Sequence, residues 1–280
     1  MKKRFKSRLL AAFLVAALLS GCGMGSKKED IEIQAFIAAS LNKVMTELAE
    51  QYNRSHPNVH ILCNADSSGK LLAQIQEGYA CDIFFSADEK QMDQLEADGL
   101  LIEGTREDAV KNQLAVVALK GSGTKVTGLE NIGRAKSIAL AGAGAPVGKY
   151  TRQALIKLGF FDGQTEPSEI TAKQVSEALG GVEISEQDNV SKALMAVIEG
   201  SCEVGTVYDS DLYGYEDKLD ILQMVDCSLT GDVICPIARV VNEEAGDAQA
   251  KAADDFLSFV LSDEAKKIFE AYDFDVDFRR

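Results

Sequence analysis

The stretch AGAGAPVGKYT, from Ala141 to Thr151, stands two residues away from a loop that cradles nucleotide phosphates. It follows the apolar run SIALA and precedes a helix-forming segment, YTRQALIKLGF, with Leu155 and Leu158 on one face. Strand, glycine-rich turn and helix start make an anion-binding arrangement, because free backbone N–H groups and the positive end of the helix dipole converge there. A nucleotide loop requires G-x-x-x-x-G-K-[ST]. Here Ala143 occupies the place of the first glycine and Tyr150 that of the magnesium-binding hydroxyl. The nucleotide reading fails, which leaves either a plain flexible turn or a site for another anion.

Three more junctions have the same layout. FIAASLNKVM places Ser40 between a strand and an amphipathic helix, where its hydroxyl either caps the helix or meets a ligand. CNADSSGKLLAQIQEG sets Ser67 and Ser68 ahead of a helix bearing Leu71, Leu72 and Ile75, and NVSKALMAVIEG opens a helix near Asn189 and Val190. Four strand-to-helix junctions in one α/β protein converge at the carboxyl ends of the sheets. Signs of catalysis are few. Ser67 and Lys70 match the S-x-x-K of serine acyl-transferring enzymes, but the companions S-D-N and K-T-G are absent, as is G-x-S-x-G. The only histidines, His56 and His60, lie in the polar turn SHPNVH and match no zinc spacing. Neither catalysis nor a cofactor is expected.

The elements that must carry these junctions alternate from Ile31 onward. Strands are expected at IEIQAFIA, NVHILCNA, DIFFSA, QLAVVAL, SIALAG, EVGTVY and PIARVV, with helices between them. The first helix, SLNKVMTELAEQYN, carries Leu41, Val44, Met45, Leu48 and Tyr52 at the spacing of a stripe laid against a sheet. After PIARVV only helices remain, from Ala248 to Leu261 and then SDEAKKIFEAYDF, capped by Ser262. The fold class is therefore α/β: two lobes of mostly parallel sheet flanked by helices, joined by two strand crossings that act as a hinge near Asn112 to Leu119 and Cys235 to Val241.

At the start of the chain, Lys2, Lys3, Arg4, Lys6 and Arg8 precede an apolar run from Leu9 to Leu19, the layout of a secretory signal. That run is too short to cross a hydrocarbon core of ~30 Å as a helix. Leu19-Ser20-Gly21-Cys22 resembles the lipobox of bacterial lipoproteins, and GMGSKKED follows as a polar tether. The expected divisions are residues 1–21 as signal, 22–30 as lipidated Cys22 and tether, 31–111 with 237–280 as lobe I, and 112–236 as lobe II. Loss of residues 1–21 removes five positive charges and no negative ones, so a formal net charge of −15 becomes −20. Nucleic acid is then a poor partner, and any anion site must act through short-range donors in a shielded cleft. Cys63, Cys81, Cys202, Cys227 and Cys235 remain, an odd number, which favours small buried thiols over a disulfide framework. A bridge from Cys227 to Cys235 is the alternative.

The blocks AFIAASLNKVMTELAEQY, ADSSGKLLAQIQEG, CDIFFSADEKQMDQL, PVGKYTRQALIKLG, VSKALMAVIEGSCEVGTVYDSDL and EAKKIFEAYDF resemble, in order and spacing, the periplasmic molybdate-binding proteins of ABC transporters. The resemblance runs from Ile31 to Phe274, with A-A-S-L, D-x-F-x-S-A-D and G-x-V-Y-x-S-D as its most specific parts. It implies a type II periplasmic-binding-protein fold whose lobes close on a tetrahedral oxyanion. It further implies contacts from the hydroxyl and N–H of Ser40 and of Ser68, N–H groups at Val147 and Val190, and the hydroxyl of Tyr208. The implied partners are an ABC permease with its ATPase, and the membrane through the N-terminal lipid; the body is expected to be a monomer. No Lys or Arg enters the contact set, as suits a dianion held by neutral dipoles. Donors alone favour molybdate or tungstate over phosphate, which carries a proton and benefits from an acceptor. Sulfate, phosphate or a phosphonate on the same fold are the alternatives, and a hydrolase built on Ser67 and Lys70 is a distant one. Gly69 and Lys70 replace small hydroxyl residues of relatives, Asp209 adjoins Tyr208 with strand alternation turning it away, and Asp273 stands where glycine is frequent.

Overall fold

The computed structural model describes residues 30–277. The signal segment, Cys22 and the tether up to residue 29 lie outside that span. In chain order the elements are β1 (Ile31–Ala38), α1 (Asn42–Ser55), β2 (Val59–Asp66), α2 (Ser68–Gln76), β3 (Ile83–Phe85), α3 (Glu89–Ala97), β4 (Glu107–Asn112) and β5 (Leu114–Leu119). They continue as β6 (Ser137–Ala141), α4 (Pro146–Lys157), α5 (Ala172–Ala178), β7 (Glu183–Gln187), α6 (Val190–Ile198), β8 (Val204–Tyr208) and β9 (Leu219–Met224). The last are α7 (Cys227–Thr230), β10 (Val233–Arg239), α8 (Asp247–Val260) and α9 (Asp263–Ala271).

The strands form two five-stranded sheets, in the orders β2-β1-β3-β10-β4 and β7-β6-β8-β5-β9. Within each sheet four strands share one direction and one is reversed, β10 in the first and β5 in the second. The reversed strands belong to the crossings, so the parallel arrangement expected from the alternating pattern holds elsewhere. On α1 the expected stripe is buried against the first sheet: Val44, Met45, Leu48 and Tyr52 are all at most 3% exposed. Each such side chain contributes about 1.5–3 kcal/mol by leaving water. Ser262 caps α9 by accepting from the Ala265 N–H, and α8 and α9 pack back on the first lobe.

Three strands escape the sequence reading, β4, β7 and β9. All three are sheet edges or lie beside a crossing at an edge, and EDAVKN, EISEQ and LDILQM carry the charges that edge strands expose to water. Helix α4 begins at Pro146, four residues ahead of the expected Tyr150, because proline at the first helical position lacks only an N–H that has no partner there anyway. The return crossing also sits elsewhere. β10 already pairs with β4 at Val233 and with β3 at Ile237, so the chain is back in the first sheet before Cys235, and the link is residues 225–232. Pro236 lies at a register shift within β10.

All five thiols beyond Cys22 are free. Cys235 is fully buried while Cys227 is exposed, so the alternative bridge between them does not form. Asp273 adopts a φ of 62°, the left-handed region, which accounts physically for the glycine frequent at that place in the resembling proteins.

Candidate functional site

The four junctions expected to converge do so. β1, β2, β6, β7 and β8 end at Ala38, Asp66, Ala141, Gln187 and Tyr208, and the residues just beyond those ends line one cavity between the lobes. Ser40, Ser68, Val147, Val190 and Tyr208 all border it. The cavity is small: about 10 Å³ is open to the centre of a water-sized sphere, too little for a sugar or peptide. Its remaining lining is Ala38, Ala39, Ser67, Ala87, Ala145, Pro146 and Asn189, so no ionisable carboxyl, ammonium or guanidinium group borders it.

Each donor is positioned by its own local chemistry. Ser40 sits in a 3-10 turn, Ala39–Leu41, and makes no capping bond. Its hydroxyl is buried without a partner, which removes the capping role left open by sequence. The D-x-F-x-S-A-D block serves Ser68. Ser86 Oγ donates to the Asp88 carbonyl and accepts the Asp88 N–H, fixing a turn whose Ala87 N–H donates to Ser68 Oγ at 3.0 Å. With one lone pair so engaged, the Ser68 hydroxyl still has its proton to donate.

Tyr208, 1% exposed, ends β8 with a hydroxyl that has no partner. Burial raises its pKa well above the ordinary value, so the phenol keeps its proton and acts as a donor. Gly205 lets β8 lie against α6, since a methyl there would meet Val197 Cγ2 at 2.7 Å. Asp211 accepts the Tyr208 N–H at 2.9 Å, and its burial raises its pKa from 3.8 to about 7. Asp209 lies away from the cavity, beside Asn112 and Gln113 at the crossing.

Val147 and Val190 lie in the first turns of α4 and α6, whose leading N–H groups have no intrahelical acceptor. The glycine-rich loop has a structural reason. A methyl on Gly148 would fall 2.3 Å or less from the carbonyl oxygens of Ala141 and Gly142, so glycine allows α4 to start close against β6. Arg152, fully buried, ties the same loop by donating to the carbonyls of Ala141, Gly148 and Ile170 at 2.7–2.9 Å. Lys149, the lysine of the near-miss nucleotide motif, reaches across to Asp88 at 2.5 Å. Lys70, the lysine of S-x-x-K, lies 3.8 Å from Asp66 and 3.6 Å from Asp188.

The lobes touch around the cavity. Besides Lys149 and Asp88, Asn189 Nδ2 donates to Asp66 Oδ1 at 2.9 Å, and Lys43 Nζ donates to the Tyr213 carbonyl at 2.6 Å. Sequence reading singled out none of Asp66, Asp88 and Asp211 as functional. Asp88 and Asp211 close the D-x-F-x-S-A-D and G-x-V-Y-x-S-D blocks, but the blocks do not say what either carboxylate holds, and the partner of Asp66 lies 123 positions away.

Comparison with known proteins agrees with this geometry. Residues 33–275 match the family described as bacterial extracellular solute-binding protein. YvgL of Bacillus subtilis, whose name includes the words substrate-binding lipoprotein, is 28% identical over 273 residues, 96% of this chain and 97% of that one. The molybdate-binding protein ModA of Escherichia coli is 29% identical over 274 residues, 95% of this chain and 98% of its own. The solved periplasmic molybdate-binding protein of Azotobacter vinelandii superposes with a TM-score of 0.70 at 20% identity, covering 86% of this chain and 98% of that one; at that identity the likeness speaks for the fold. A two-lobed α/β body closing on a cavity lined by neutral donors is what such a protein needs, and the chain belongs to the bacterial extracellular solute-binding proteins.

Proposed function

We propose that this protein captures molybdate or tungstate outside the cytoplasm and hands it to the permease and ATPase of an ABC importer, anchored to the membrane through lipid on Cys22. One observation carries the ligand class: two buried hydroxyls, Ser40 Oγ and Tyr208 OH, lack any partner and border one cavity free of carboxyl, ammonium and guanidinium groups. Leaving each unsatisfied costs about 1–3 kcal/mol, which an anion accepting from both would recover. The helix starts at Ser68, Val147 and Val190 add N–H groups and the positive ends of three helix dipoles. Every contact in the set donates and none accepts, which suits a fully deprotonated tetrahedral dianion and disfavours protonated phosphate. The names of ModA from Escherichia coli and Haemophilus influenzae, the latter 27% identical over 271 residues, support molybdate in particular. The word lipoprotein in the name of YvgL supports the anchor, as do Leu19, Ser20, Gly21 and Cys22 themselves.

Titration calorimetry of the chain from residue 22 against molybdate, tungstate, sulfate, phosphate and thiosulfate tests the reading. Molybdate and tungstate should bind at least a hundredfold more tightly than phosphate. Tighter binding of phosphate, or no binding of any of the five, would sink it.

A further inference from the structure

Around the cavity mouth one carboxylate joins the starts of two helices that belong to different lobes. Asp66, the last residue of β2, accepts the Ser67 N–H at 2.7 Å on Oδ1 and so orients the chain entering α2. The same Oδ1 accepts from Asn189 Nδ2 across the cleft at 2.9 Å. Asn189 is 9% exposed and is the N-cap of α6: its Oδ1 accepts the Lys192 N–H at 3.1 Å. The amide thus has one orientation that satisfies both ends, oxygen toward its own helix and nitrogen toward the opposite lobe. Ser68 and Val190, two donors of the site, lie within two residues of Asp66 and Asn189 along the chain. Nearby charges complete the mouth. Lys70 lies between Asp66 and Asp188, and Lys192 pairs with Asp188; Lys70, Asp188 and Lys192 are each about half exposed, where such pairs contribute little.

We infer that Asp66 and Asn189 are a positioning pair that exists only when the lobes close, setting the α2 and α6 starts in register and governing how long the ligand stays. The inference rests on the oxyanion reading above. Because the bond forms on closure, its loss speeds release more than it slows capture.

The contact can be broken without removing the α6 cap. Asn189→Asp keeps the cap, since Asp serves there as well as Asn, but sets a carboxylate against Asp66. Asp66→Asn, with its amide oxygen in the Oδ1 place, still accepts from both the Ser67 N–H and Asn189 Nδ2 and loses only the charge. When both substitutions are combined, the facing like charges are gone, and the amide introduced on β2 turns its nitrogen toward the carboxylate introduced at the α6 cap, giving up the Ser67 N–H for a bond of inverted polarity. Stopped-flow tyrosine fluorescence with molybdate, in a chain that has no Trp, reads both rates. Asn189→Asp should release at least tenfold faster with the association rate within threefold of wild type, Asp66→Asn, which keeps the bond, should release less than fivefold faster, and the double variant should release at least threefold more slowly than Asn189→Asp. Unfolding midpoints without ligand should be alike for wild type and Asn189→Asp. Wild-type release in Asn189→Asp, or a double variant that releases no more slowly than Asn189→Asp, would overturn the pairing. If the wild type binds none of the five oxyanions, the functional reading fails separately, and small-angle scattering then decides the pair. A larger radius of gyration in Asn189→Asp that returns to the wild-type value in the double variant supports it, and equal radii for wild type and Asn189→Asp overturn it.

Discussion

Gly69 offers a substitution whose two effects have opposite signs. It is the second residue of α2, in lobe I, and it faces Gly144 of lobe II. A methyl added to it would stand 2.4 Å from the Gly144 carbonyl oxygen and 3.4 Å from that carbonyl's carbon, and the three nearest atoms all belong to Gly144. Ordinary contact begins near 3.4 Å, so closure would stop about 1 Å short at this point. The obstacle is backbone on a loop held by the buried Arg152, which gives little. Overpacking of this kind costs ~1–3 kcal/mol, and the whole of it falls on the closed state. In the open state the methyl meets nothing comparable, and alanine in a helix is favoured over glycine by roughly 0.5–1 kcal/mol. Gly69→Ala should therefore raise the unfolding free energy of the ligand-free protein slightly and weaken molybdate binding about 5- to 150-fold. Calorimetry and a urea titration without ligand read the two effects independently. Wild-type affinity in Gly69→Ala would refute the idea that the two glycines must touch for capture.

Tyr208→Phe should weaken binding by ~1.5–3 kcal/mol, the range for a hydrogen bond to a charged group, while the ligand-free protein keeps or gains stability because an unsatisfied buried hydroxyl is gone; calorimetry and thermal unfolding together test this. Ser40→Ala should behave in the same way, whereas Ser68→Ala should lose stability as well as affinity, since it orphans the Ala87 N–H. Asp211 binds its proton more tightly in the folded protein, with a pKa of about 7 against 3.8, so it subtracts stability as pH rises from about 4 to 7 and no more beyond. Asp211→Asn, which can still accept the Tyr208 N–H, should remove that slope and be the more stable protein at pH 8, as thermal unfolding between pH 5 and 8 will show. Gly148→Ala should destabilise by ~1–3 kcal/mol or more in urea, because its methyl would meet two backbone carbonyls that cannot rotate away.

What could be read from the chain follows from how local each signal is. The α1 stripe was legible because one face of the helix is buried against a single layer, which imposes a clear apolar period, and β1 because its second half, buried on both faces, is a continuous apolar run. β7, EISEQ, has no fully buried residue, so it carries no such period. The hydroxyls and helix starts of the site could be found because each sits at a strand-to-helix turn with recognisable punctuation. Ser67 and Ser68 are an instance, and so is Pro146 before Val147. Which of two roles a hydroxyl plays was not legible: capping and ligand contact use the same residue in the same place, and only the missing partner of Ser40 Oγ separates them. Asp88 and Asp66 were beyond reach for another reason. Each acts on a residue of the other lobe, and chain order says nothing about which charges meet once two lobes face each other.

The two links between the lobes differ in a way that shapes how the body can move. Gln113 alone separates β4 from β5, whereas residues 225–232 separate β9 from β10 and include the short α7. The two are fastened together at one point, where Gln113 Nε2 donates to the Val225 carbonyl at 3.0 Å and the Val225 N–H donates to the Leu114 carbonyl at 2.8 Å. One strap is taut and the other has slack. Rotation must swivel about the taut one, with the longer strap giving way beside it, so any machinery that pries the halves apart has most leverage at the rim farthest from Gln113.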